Sequence, residues 1–265
     1  MFPLLPTPGR RAFLAAAGCL VVAPLAAAPA DATGGDPFGS LQWPDLRREF
    51  FGDAPLRFDE RVQVKGPGFA VDPMTVPVTV TAEGLADVER IVVIVDRNPI
   101  RKVLEFEPLA GARPSVSFRF KLEQASPVRA AARTKDGVWH VGGALVDSAG
   151  GGCTVPGSTR ADGSWSRTLG QVSGRVFEAP DAPGGARVRL RVMHPMDTGL
   201  AAGIPAFYLK RLSLSDASGA ELLRLATFEP VSENPVFSFD FVRRPDGPLV
   251  VRGSDNNGNK VEGRL

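Results

Sequence analysis

The 265-residue sequence carries 31 lysines and arginines against 29 aspartates and glutamates, a formal charge of +2. So even a balance gives no electrostatic footprint for nucleic acid or for an anionic membrane surface. Only two cysteines are present, and the length admits one large domain or two of ordinary size.

The first segment with a clear pattern is "PGRRAFLAAAGCLVVAPLAAAPADA", in which Arg10 and Arg11 precede a mostly apolar run from Ala12 to Ala28 and then small residues. It reads as an export signal of the twin-arginine type, with cleavage after Ala32 and delivery to the periplasm. As a membrane anchor the run is weak, because Gly18, Pro24, Pro29 and many alanines dilute it below what a span needs. Cys19 as a lipoprotein acylation site fares no better: Ala16 is a poor match for the usual leucine, and the apolar run continues past the cysteine. Removing residues 1–32 takes away Arg10, Arg11 and Asp31 and leaves 29 basic against 28 acidic residues. Cys19 goes with them, so Cys153 becomes the single thiol and no internal disulfide can form.

A short helix is predicted at "WPDLRREFFG", with Pro44 in the first turn, Leu46 and Phe50 four apart, and Gly52 at the end. The period then changes to two. Val76, Val78 and Val80 share one face of "VPVTVT", and Val116, Phe118, Phe120 and Leu122 alternate with Ser115, Ser117, Arg119 and Lys121. Arg90 to Val95, "RIVVIV", reads as a strand covered on both faces, and Asp136-Gly137 marks a hairpin turn before "VWHVGGALV". From Gly150 to about Gly174 the pattern stops in a Gly/Ser/Thr-rich linker. Strand signals resume in "ARVRLRV" and "VFSFDF", and Asn257-Gly258 supplies a second hairpin turn. The reading is an all-β chain of two sandwich domains, residues 38–149 and 175–265, joined by residues 150–174 after the leader at 1–32. The phenylalanines, 16 in all, fall mainly at inward strand positions and are assigned to packing.

Chemistry concentrates at "GGGC". Gly150, Gly151 and Gly152 would let an extended arm carry the Cys153 sulfur roughly 20 to 25 Å from Asp147, at about 3.3 to 3.6 Å per residue. A mobile arm offers neither a held base nor an oxyanion site, so no catalytic residue is assigned. His140 reads as a structural histidine, and His140, His194, Met193 and Met196 fall into no metal-binding spacing with Cys153. Neither a metal nor a cofactor is expected. Taken alone, "GGGC" equally fits a linker with an incidental cysteine.

Longer blocks carry a family resemblance. "VPVTVTAEGLADVERIVVIVDRNPIRKVLEFEP" from Val76, "ARTKDGVWHVGG" and the closing "GGGC" resemble SoxY, the half of the SoxYZ sulfur carrier that ends in a glycine-cysteine arm. "MHPMDTGL" from Met193, "IPAFYLKRLSL", "VSENPVFSFDF" and "DNNGNK" resemble SoxZ. The resemblance implies two immunoglobulin-like β-sandwiches without a prosthetic group, and a Cys153 that carries bound sulfur between periplasmic enzymes without catalysing their steps. It implies as partners either Sox-type enzymes or, from the fused arrangement, a quinoprotein (pyrroloquinoline-quinone) alcohol dehydrogenase and its cytochrome. The alternative is an adaptor or maturation module for such a dehydrogenase, with an incidental cysteine. Three departures bear on this. Thr154 and Val155 stand where the family arm has trailing glycines, so the arm is internal; the fusion holds the two halves at one-to-one ratio; and "AVDPM" at 70–74 replaces a glycine-containing turn. In "HPMDTG" and "SENP", His194 and Asn234 are expected to bond loop backbone. Arg160 and Arg167 would favour the thiolate if the linker folds back.

Overall fold

The computed structural model describes residues 35–161, 163–179 and 183–265; the expected export signal, with Arg10, Arg11 and Cys19, lies outside them. Helix α1 (Trp43–Phe51) forms where predicted, with Pro44 in its first turn and the Gly52 N–H donating to the Arg48 carbonyl. The first half then supplies β1 (Leu56–Phe58), β2 (Gln63–Lys65), β3 (Phe69–Ala70), β4 (Val76–Thr81), β5 (Val88–Val95), β6 (Lys102–Pro108), β7 (Ala112–Phe120), β8 (Ser126–Thr134) and β9 (Trp139–Ser148). The second supplies β10 (Val172–Glu178), β11 (Ala186–Val192), β12 (Leu209–Ser215), β13 (Glu221–Thr227), β14 (Val236–Phe241), β15 (Val250–Asp255) and β16 (Lys260–Arg264). Both hairpin turns fall at Asp136-Gly137 and Asn257-Gly258. No helix among the described residues is long and apolar enough to cross a membrane.

The strands form two sheets, as an all-β sandwich requires, and both sheets run through both halves. One has the order β1-β9-β8-β5-β6-β13-β12-β15-β16, with β3 also on β9; the other has the order β10-β11-β14-β7-β4-β2. The junctions are β6 with β13, where Phe106 faces Leu225, and β7 with β14, where Val116 faces Phe239. Between the sheets lies one continuous core holding Phe106, Phe118, Phe120, Phe237, Phe239 and Phe241; Phe106 and Phe239 stack across the junction at 5.5 Å. Residues 150–161 and 163–171 do not act as a free tether. Two short 3-10 turns, Ser158–Arg160 and Ser164–Arg167, hold this stretch; Glu233 accepts from the Thr159 N–H at 2.8 Å, and Asp197 accepts from Arg160 Nε at 2.6 Å.

The double-faced burial of β5 has a specific cause. Ile91, Val93 and Val95 face the main core, while Val92 and Ile94 join a second cluster with Trp43, Leu46, Phe51 and Trp139, so α1 roofs the outer face. Phe50 only flanks this cluster, and Phe51 is the inward aromatic. Beneath the roof Arg129 is fully buried, with bidentate bonds of 2.6 to 2.8 Å to Asp36 and Asp96 and with the Trp43 ring 4.3 Å from its guanidinium. His140 is structural, as expected: its Nδ1 meets Asp59 Oδ2 at 2.7 Å. The Asp59 carboxyl lies far below its usual range, chiefly because Arg61 bonds to it. The "AVDPM" segment remains a turn, in which the Asp72 side chain accepts from Met74 N and Thr75 Oγ1.

Candidate functional site

Cys153, the one cysteine among the described residues, is 0% exposed. This corrects the expectation of an extended arm with a reachable sulfur. After β9 the chain folds back onto the segment that follows β7. The Gly151 N–H donates to the Glu123 carbonyl at 3.1 Å and the Gly152 N–H to the Leu122 carbonyl at 3.2 Å, a short strand-like clamp. Glu123 Oε2 accepts from the Cys153 N–H at 2.9 Å, and its carboxylate also takes the Thr154 hydroxyl. From the second half, Thr198 Oγ1 donates to the Cys153 carbonyl at 2.6 Å. The thiol itself points at the Lys121 carbonyl, 3.6 Å away.

The glycines serve this folded-back path rather than reach. Gly150 and Gly151 hold φ of +96° and +86°, which side chains disfavour. Gly152 lies so close to its neighbours that a Cβ there would sit 2.2 Å from the Pro73 carbonyl oxygen and 2.6 Å from that of Leu122. The linear spacing of "GGGC" does not distinguish these two uses of glycine. Only the packed chain does.

Sequence alternation placed Lys121 on the outer face, whereas it is buried, at 2% exposed. Strand β7 ends at Phe120, and the Lys121 N–H turns to the Pro230 carbonyl, so the period no longer sets the side chain's direction. Its Nζ donates to the Met196 carbonyl. Burial pushes the ammonium pKa down, opposed by Asp197, Cys153 and Glu233. The Cys153 thiol is pushed up to about 12, first by burial and then by the Glu123 carboxylate; Lys121 pulls the other way and loses. In this closed state the sulfur is protonated and unreactive near neutral pH. The basic group at the thiol is therefore Lys121. Arg160 is engaged by Asp197 and the Trp165 ring, and neither it nor Arg167 acts on the sulfur.

The "HPMDTG" loop closes the site from the second half. His194 and Asn234 do bond loop backbone: the Met196 N–H donates to His194 Nδ1 at 3.1 Å, and the His194 N–H donates to Asn234 Oδ1 at 3.3 Å. Met196 holds a left-handed φ of +52°, fixed by that bond, by the Leu209 N–H on its sulfur and by Lys121 on its carbonyl. His194 is buried and its pKa falls to about 4, because desolvation outweighs the Asp255 carboxylate. Its Nε2 lies 3.6 Å from Asp255 Oδ2, beyond hydrogen-bond reach, and has no hydrogen-bond partner among the described residues. Sequence reasoning missed Lys121, Glu123 and Thr198 as neighbours of the thiol. Nothing in their local pattern marks them, since each reaches Cys153 from 30 or more residues away in the chain.

Two family models divide the chain at this site. SoxY, the sulfur oxidation protein SoxY, matches residues 47–153, and SoxZ, the sulphur oxidation protein SoxZ, matches residues 176–265. The chain belongs to the SoxY and SoxZ families, fused in tandem. The SoxY match ends on Cys153 itself, and the SoxZ part contributes Thr198, which bonds the Cys153 carbonyl, and Met196, whose carbonyl takes the Lys121 ammonium. A solved structure, the sulfur carrier protein SoxY from Chlorobium limicola f thiosulfatophilum, aligns with 40% of this chain and 96% of its own at 22% identity and a TM-score of 0.37. No curated protein matches the chain.

Proposed function

We propose that this SoxY–SoxZ fusion is a periplasmic sulfur carrier that binds sulfur-containing intermediates covalently on Cys153 and exchanges them only after its glycine segment lifts away. The observation that carries this reading is the coincidence at one residue. Cys153 ends the SoxY match, follows three glycines, and is held closed by a handful of hydrogen bonds rather than by a strand of the main sheets. Each such bond contributes only about 1 kcal/mol, so the segment can lift away locally while the two sheets stay folded. Once out, the thiol regains an ordinary pKa near 8.5, and its thiolate can attack a disulfide or the outer sulfur of a persulfide on a partner, forming the new S–S bond to Cys153 as the old one breaks and the partner's thiolate leaves, with no net oxidation. The carrier performs none of the partners' chemistry. Those partners are Sox-type enzymes or a quinoprotein dehydrogenase with its cytochrome, and each must draw the arm out or capture it open.

Intact-mass analysis of protein purified from its own compartment, with and without reductant, tests this. Adducts on Cys153 removable by reductant are the expected result. A uniformly free thiol, together with a Cys153→Ser strain that grows normally on every substrate requiring the protein, overturns it.

A second reading rests on the burial of the sulfur: a non-catalytic adaptor for a quinoprotein dehydrogenase, with Cys153 serving only as packing. Under it, Cys153→Ser keeps partner binding and growth, which separates the two readings.

A further inference from the structure

The outer face of the β10-β11-β14-β7-β4-β2 sheet carries a groove of about 610 Å³ formed by both halves of the chain. The strand registers align one row of outward side chains across it: Arg175 opposite Arg189, Arg189 opposite Ser238, Ser238 opposite Ser117, Ser117 opposite Thr79, and Thr79 opposite Lys65. A hydroxyl floor is thus bracketed by cations at both ends. Arg119 and Arg191 add two more charges along the same lining, which contains no carboxylate among the described residues. Lys65, Arg119, Arg175, Arg189 and Arg191 are all exposed. None forms an ion pair among the described residues; the one bond recorded for their side chains is Arg189 Nε to Ser238 Oγ, at 3.4 Å.

The opposite sheet shows that this is not the general rule for the molecule. There Arg90, Arg224 and Arg252 are matched by Glu107, Glu221 and Glu262. On a chain whose charges nearly cancel, five unmatched cations in one groove form a local positive field without a partner in the fold.

From these features we infer that the groove docks an acidic segment of a partner protein. Two arguments favour a peptide over a small oxyanion. Five strand steps of about 4.8 Å separate Arg175 from Lys65, a span of roughly 24 Å that no single small anion bridges and that seven or so extended residues match. The hydroxyl row, in which Thr79 and Ser117 bond each other at 2.9 Å and the largely buried Ser238 accepts from Arg189, moreover keeps spare acceptor lone pairs for main-chain amides between the charged ends. The groove is joined to the thiol site through the chain. Strand β7 ends at Phe120, between Arg119 and Lys121, and β11 ends at Val192, just past Arg191 and ahead of the loop of Met196 and Thr198, so in the chain both groove strands lead into residues around the thiol. Arg119 stands two residues from Lys121, about 7 Å along an extended chain. The assignment stands on charge and register, not on the arm's opening.

Fluorescence anisotropy with the full chain and a fluorescein-labelled octaglutamate peptide tests it. The triple variant Arg175→Ser/Arg189→Ser/Arg191→Ser is expected to weaken binding at least tenfold, and Lys65→Ser/Arg119→Ser, acting from the SoxY part, at least threefold. The control Arg211→Ser/Arg224→Ser/Arg252→Ser removes the same charge from the ion-paired sheet and is expected to change binding less than threefold. Cys153→Ser should leave binding as in the wild type, whatever the thiol does. Equal weakening by groove and control variants overturns the inference. So does tighter binding of a thymidine octanucleotide, or displacement by inorganic sulfate well beyond that by chloride at equal ionic strength, which would make the groove a small-anion site.

Discussion

Replacing Gly152 by alanine bears most directly on how the thiol is kept. The new methyl would sit 2.2 Å from the Pro73 carbonyl oxygen, and 2.6 and 2.7 Å from the carbonyl oxygen and nitrogen of Leu122. All three are main-chain atoms, and an ordinary contact needs 3.4 Å or more, so the segment must move by roughly 1 Å or come away. Moving breaks the Gly152–Leu122 bond and strains the Gly151–Glu123 and Cys153–Glu123 bonds. Losing two to three bonds at about 1 kcal/mol each shifts the closed-to-open balance by about 2 to 3 kcal/mol, or roughly 30- to 150-fold. The assay is iodoacetamide labelling of Cys153 at pH 8, followed by intact mass at reagent levels where opening is a pre-equilibrium, with thermal unfolding run alongside. Gly68→Ala, where a Cβ meets nothing within 4 Å, is the control. A Gly152→Ala rate within threefold of wild type at unchanged Tm refutes the clamp, because the glycine would then not be needed for closure.

Three further outcomes follow from the same packing. The closed thiol's pKa of about 12 stands above its ordinary value, so closure is at full strength below about pH 8.5 and weakens as pH rises towards 12. Labelling should therefore accelerate by more than the increase in free thiolate alone, as measured against a short peptide carrying the same cysteine. For His194 the sign reverses: its pKa is depressed from 6.5 to about 4, so the stability it contributes is present above pH 6.5 and is lost as pH falls through 4. His194→Gln should flatten the fall of Tm between pH 7 and pH 4, and an unchanged profile would remove His194 as its cause. Arg129→Ala leaves Asp36 and Asp96 buried without their cation and should cost about 3 to 5 kcal/mol in urea unfolding. A loss under 1 kcal/mol would mean that α1 is held by its apolar face alone.

How much of this was readable beforehand depended on whether a signal was local. Val76, Val78 and Val80 alternate and are buried as they alternate, because a strand's period of two sets direction wherever the strand is regular. Lys121 obeys the same pattern on paper and breaks it in the fold, since it lies one residue past the end of β7, where the ladder no longer aims the side chain. The three glycines ahead of it, and its being the one cysteine outside the N-terminal apolar run, mark Cys153 in the sequence. Its burial is not marked there, because Pro73, Leu122, Glu123 and Thr198 converge on it from distant strands and loops.

The amino-acid order by itself determined the β class, the turns, the helix ahead of the strands and the kinship of the two halves, each encoded within a few neighbouring residues. Tertiary structure alone decided that the halves share both sheets, that glycines suited to reaching outwards instead fold back, and that arginines spaced along β10 and β11 line up with Lys65 of β2. The physical reason is one of range. Periodicity and turn chemistry act over a few residues, whereas the environment of a thiol or a guanidinium is set by whichever surfaces the sheet registers bring against it.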